Sequence, residues 1–101
     1  MIERGSGRTT RQLAALPDGG VYLVHTRAMA SYCQGLLQQI GRERNAVTFV
    51  TAGLREQDVW GRRIVAWDVD HAYFDLVPRG RGLRACDYLE LAAGKGPLDT
   101  P

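Results

Sequence analysis

"VYLVHTRAMASYCQGLLQQIG", residues 21–41, decides the fold. Its opening run, Val21 to His25, is short, apolar and rich in β-branched residues, the pattern of a strand buried on both faces. Thr26 then offers an N-cap, and Met29, Cys33, Leu36, Leu37 and Ile40 recur at three- and four-residue spacing before Gly41 supplies a stop. A buried strand running straight into an amphipathic helix is half of a β-α-β unit. The other half should lie downstream.

Two further strand-like runs meet that expectation: "AVTFVT" at 46–51, after the polar turn "RERN", and "RIVAWDVD" at 63–70. Between them "GLREQDVWG", residues 53–61, reads as a loop or short helix. Upstream, "TTRQLAAL" at 9–16 offers a short helix stopped by Pro17 and the turn "PDGG". Downstream, "HAYFDLV" at 71–77 starts a short helix or turn, and Leu83 to Ala92 has the periodicity of a last helix. Strands alternating with helices predict an α/β fold: a small three-stranded parallel sheet with flanking helices. The expected organisation is one domain over residues 1–93 and a flexible tail over 94–101.

Composition agrees with a single globular domain. The chain has 101 residues, 45% hydrophobic and 24% charged, which argues against disorder and against a collagenous or disulfide scaffold. No run of eighteen apolar residues and no charged-then-apolar leader occurs, so no membrane contact is expected and the cytoplasm is the expected location. Cys33 and Cys86 are far apart and form no CxxC pair, so no metal site is expected. Net charge is +2, with Lys95 the single lysine among thirteen cations. That arginine bias fits a GC-rich genome or selection for bidentate phosphate contacts.

In open α/β sheets ligands gather beyond the carboxyl ends of the strands. Those ends carry His25, Thr26, Thr51, Asp68, Asp70 and His71, and Gly7, Arg8 and Thr9 would close over the same rim if the first helix begins there. Asp68 and Asp70 alternate along one strand and so share a face, as a paired-carboxylate site or as strand-end acids paired with arginines. Both histidines read as partly buried strand-end residues, with no third ligand at metal spacing. "RGRGLR", with Arg79, Arg81 and Arg84, is a nucleic-acid or partner contact, or a solvated loop.

In motif order the chain resembles the first RecA-like domain of DExH-type helicases, among the P-loop NTPases. "GSGRTT" looks like the phosphate-binding motif I, "VYLVHTRAMASYC" like motif Ia, "VTFVTAG" sits where motif Ib would fall, and "IVAWDVDHA" resembles the Walker B strand. The resemblance covers roughly residues 5–72 and implies a truncated P-loop NTPase-like fold. It assigns phosphate binding to Gly5, Ser6, Gly7, Arg8, Thr9 and Thr10, and Walker B-like roles to Asp68, Asp70 and His71. The implied cofactor is ATP with magnesium, Thr9 and an aspartate holding the ion.

The departures from that pattern matter as much. Arg8 replaces the motif lysine, Ile2 stands where Gx4GK[ST] needs glycine, and "MIERGS" is short for the strand that carries the loop. The box Asp68-Val69-Asp70-His71 lacks the glutamate that activates water, and no second RecA-like domain follows. The expectation is therefore a non-hydrolysing module that binds a nucleotide or nucleic-acid phosphate. In size and style the chain also resembles accessory proteins of phages and mobile elements, which implies an alternative: an interaction or inhibitory factor acting on host machinery such as a defence complex, in the manner of an anti-CRISPR protein.

Overall fold

A computed structural model describes residues 7–98. The elements follow in the order α1 (Arg8–Ala15), β1 (Gly20–Leu23), α2 (Arg27–Gln39), β2 (Val47–Val50), a 3-10 turn (Glu56–Asp58), β3 (Trp67–Val69), α3 (Tyr73–Leu76) and α4 (Arg79–Ala93). The three strands form one parallel sheet in the order β2-β1-β3. β1 pairs Gly20 with Val47 through Leu23 with Val50 on one side, and Val21 with Trp67 through Leu23 with Val69 on the other. The strand that opens the strand-to-helix run is thus the centre of the sheet.

Period-two alternation along β1 divides its side chains between two cores. Val21 and Leu23 join Trp67, Tyr73, Ala85 and Leu89, so α3 and α4 cover that face. Tyr22 and Val24 join Leu13, Leu16, Cys33 and Leu37, so α1 and α2 cover the other. Burial on both faces explains why β1 reads as a continuous apolar run rather than an alternating one.

Local signals set the helix ends. Thr26 is extended and its Oγ1 accepts the Met29 N–H at 3.1 Å, capping α2. Gly41, at φ 86°, lets the chain leave that helix, while the Arg42 N–H donates to Leu37 O at 2.9 Å. Arg42 then reaches back: its Nη1 donates to the carbonyls of Leu13 and Leu16 at the end of α1, and its Nη2 pairs with Asp18 at 2.7 Å. A guanidinium on the carbonyl end of a helix satisfies both its hydrogen bonds and its dipole.

Two boundaries depart most from expectation. β3 covers 67–69 rather than 63–70, because Ile64 turns into the core and its N–H donates to Ala92 O on α4, while Val65 is half exposed. The last helix starts at Arg79, not Leu83, so "RGRGLR" is the first turns of α4 and not a loop. Among the described residues, no helix is long and apolar enough to cross a membrane.

Candidate functional site

Sheet pairing carries Asp68 and Asp70 to the face under α1, the face that also carries Tyr22. Both carboxyls are almost wholly buried, and a buried carboxylate needs donors. For Asp70 they are three. Thr9 Oγ1 donates to Oδ1 at 3.2 Å, the Tyr22 hydroxyl reaches the same oxygen at 2.9 Å, and the Ala72 N–H donates to Oδ2 at 3.2 Å. Asp68 accepts from Gln12 Nε2 at 3.2 Å and from the Val69 N–H at 2.9 Å.

α1 supplies its share because Thr9 and Gln12 lie one turn apart and face the sheet, both buried. Gln12 also donates to Val69 O at 2.8 Å, and its Oε1 faces the Tyr22 hydroxyl at 2.8 Å. That phenol has one proton and two oxygens within reach, of which the carboxylate is the stronger acceptor. Burial, and then the charge of Asp70, push the Tyr22 phenol far above its ordinary value, so it remains a donor.

His71 Nε2 lies 3.1 Å from Thr9 Oγ1. Since Thr9 spends its proton on Asp70, the histidine must donate from Nε2, giving the chain His71 to Thr9 to Asp70. His25, two residues past β1, stays apart from this network. Its Nδ1 is buried and finds no hydrogen-bond partner among the described residues.

α1 begins at a glycine. Gly7, at φ 79°, is its N-cap and brings no side chain to the first-turn N–H groups. Exposed Arg8 follows, and with Arg11, Gln12, Ala15, Asp68 and Leu98 it lines a cavity of about 260 Å³ beside β3. Thr10 is half-buried in the same turn. Gly5 and Ser6 lie outside the described residues. Comparisons with protein-family models, with curated proteins and with solved structures return no match. The site is read on its own chemistry.

That chemistry is a hydroxyl hydrogen-bonded to a buried carboxylate at a helix start, with Arg8 in the same first turn lining the neighbouring cavity. Among the described residues no three His, Cys, Asp or Glu side chains gather as a metal site. A hard cation at Thr9 Oγ1 and Asp70 would complete its shell from phosphate oxygens and water, as magnesium does. The donor set, all oxygen, fits that ion. Of the two aspartates the sequence left equivalent, Asp70 meets Thr9 and Asp68 meets Gln12. Gln12 and Tyr22 escaped the sequence reading: an amide in a short helix and a phenol in an apolar strand carry no motif.

The arginines of "RGRGLR" are elsewhere. Arg79, Arg81 and Arg84 are exposed on α4, and Arg81 and Arg84 line a cavity of about 380 Å³ with residues 52–57 and Tyr88.

Proposed function

We propose that this protein is a non-hydrolysing phosphate-binding module that takes the phosphates of a nucleotide at the start of α1. The observation that carries this reading is the Thr9 to Asp70 hydrogen bond, which joins residues 61 positions apart at 3.2 Å. It sets a hydroxyl and a carboxylate side by side at a helix start, the pair that holds magnesium against nucleotide phosphates in P-loop proteins. Gly7 brings no side chain to cap α1, and Arg8 stands in the first turn that would face the phosphates. Magnesium, when bound with the phosphates, neutralises their charge. The protein's own residues orient: His71 and Asp70 fix the Thr9 hydroxyl between them.

Turnover is not part of the reading. Asp68 is held by Gln12 and the Val69 N–H, and the box Asp68-Val69-Asp70-His71 contains no glutamate to act as a base.

Calorimetric titration of the full chain with ATP and GTP, with and without magnesium, tests this. Binding should be magnesium-dependent, and Arg8→Ala should weaken it roughly tenfold or more by removing a charge-assisted bond of about 1.5–3 kcal/mol. Thr9→Val should abolish the magnesium dependence, with thermal melts to show that the chain still folds. Phosphate release should stay at background. Absence of nucleotide binding below millimolar concentration, or turnover that disappears in Asp70→Asn, would defeat the reading.

A further inference from the structure

The carboxyl rim of the sheet continues past β1 and β2 into a surface that the phosphate site does not use. The segment 51–62, between β2 and β3, forms its floor. One cavity of about 540 Å³ has Arg27, Arg62, Thr51 and Trp60 among its lining residues; the cavity of about 380 Å³ has Arg55, Arg81, Arg84 and Tyr88. The two share Gly53, Leu54 and Gln57, so they lie side by side along that segment and are taken together as a trough. Arginines from α2, from the segment and from α4 converge on it, although their positions span residues 27–84.

The charge balance is one-sided. The acids lining the trough are Asp58 and Glu56 against five arginines. Asp58 is committed to Arg55, at 3.0 Å, and hydrogen bonds from Arg55 hold its carboxyl below the usual range. No other ion pair among the described residues involves the trough. Arg27, Arg62, Arg81 and Arg84 make no ion pair among the described residues, although the charge of Arg62 also reaches Asp58.

Trp60 adds what charge cannot. Its side chain is 68% exposed, the second most exposed large apolar group described, and it stands between Arg55 and Arg62 in the chain. A bare indole among guanidinium groups is costly to leave in water and matches one ligand chemistry closely: a phosphate at each step and an unpaired aromatic face between steps. A duplex hides its base faces, and an acidic peptide supplies charges without rings.

We propose that this trough binds single-stranded nucleic acid, its phosphates paired with Arg27, Arg62, Arg81 and Arg84 and a base stacked on Trp60. The proposal does not depend on the nucleotide site.

The protein has two tryptophans, and Trp67 is only 1% exposed, so it serves as an internal reference for Trp60 fluorescence. Titrating the full chain at low salt with twelve-nucleotide dU and rU strands, which differ only in the sugar, should quench Trp60, and the preferred strand tells which sugar is read. Trp60→Ala should weaken binding, followed by anisotropy of a labelled strand, roughly 5- to 150-fold. Arg81→Ala with Arg84→Ala should reduce the slope of log affinity against log salt by about 1.4, the value for two lost single-strand contacts. Arg44→Ala, an exposed arginine outside the trough, should leave that slope unchanged. The proposal is overturned if neither strand binds at low salt, if the double variant keeps the wild-type slope, or if duplex DNA or polyglutamate binds as tightly as the strands.

Discussion

Tyr22 shows how one side chain can decide what a strand is for. In a run of valine and leucine it is the group that brings a proton to the floor of the sheet, where Asp70 waits for donors. Tyr73, on the opposite face, is also fully buried, and burial pushes its phenol up to about 12, with Cys86 similarly raised to about 11. In the unfolded chain a phenol ionises near 10 and a thiol near 8.5. From about pH 9 upward the unfolded state therefore releases protons that the fold retains, and stability falls as pH rises through 10 to 12. Below that window these groups leave stability untouched. Melting temperatures at pH 8, 10 and 11 should decline less steeply in Tyr73→Phe than in wild type; an identical decline would show that the buried phenol is not the cause. At this scale the sequence was half legible. Alternation put Asp68 and Asp70 on one face, as found, but alternation says nothing about which donor reaches which acid.

At the scale of the element, glycine is the residue most easily misread. "RGRGLR" reads as a contact or a solvated loop, yet both of its glycines lie within α4. Gly82 is there because a side chain would collide: an added Cβ would sit 3.0 Å from Cε2 of Tyr73 and 3.2 Å from Cε1 of Phe74. The absent methyl lets α3 lie against α4, a tertiary demand invisible to local propensity. Gly35, inside α2, meets nothing within 4 Å of an added Cβ. Gly35→Ala should therefore raise stability by about 0.5–1 kcal/mol, the ordinary helix gain. Gly82→Ala should instead lower it by about 1–3 kcal/mol once overpacking outweighs that gain. Denaturant melts of both variants settle the contrast, and stabilisation by Gly82→Ala would mean that the α3 rings yield easily. Strand-to-helix order, by contrast, was plain in the sequence, because buried strands and a capped amphipathic helix carry their pattern within the element itself.

Over the whole molecule, a three-stranded sheet must solve the problem of its edges, and β3 does so with borrowed groups. β1 uses one row of β3 backbone atoms, leaving Trp67 and Val69 to face outward. Gln12 covers Val69 O, while the residues after α4 cover Trp67: Leu98 N–H donates to its carbonyl at 2.9 Å, and its indole Nε1 donates to Lys95 O at 2.8 Å. A variant ending at Gly94 should lose both bonds, about 2 kcal/mol at the usual worth of a hydrogen bond. For a domain of this size that is a fall of roughly 8–16 °C in melting temperature. Trp67 emission should shift to the red as its indole meets water. The uncovered edge would also offer its carbonyl to a second chain, since bare strand edges template pairing. Sedimentation at rising concentration should then show more self-association than the full chain does. An unshifted melt with unchanged emission would mean that Gln12 and the β1 pairing alone hold β3 in place, and that the last described residues contribute nothing to the edge.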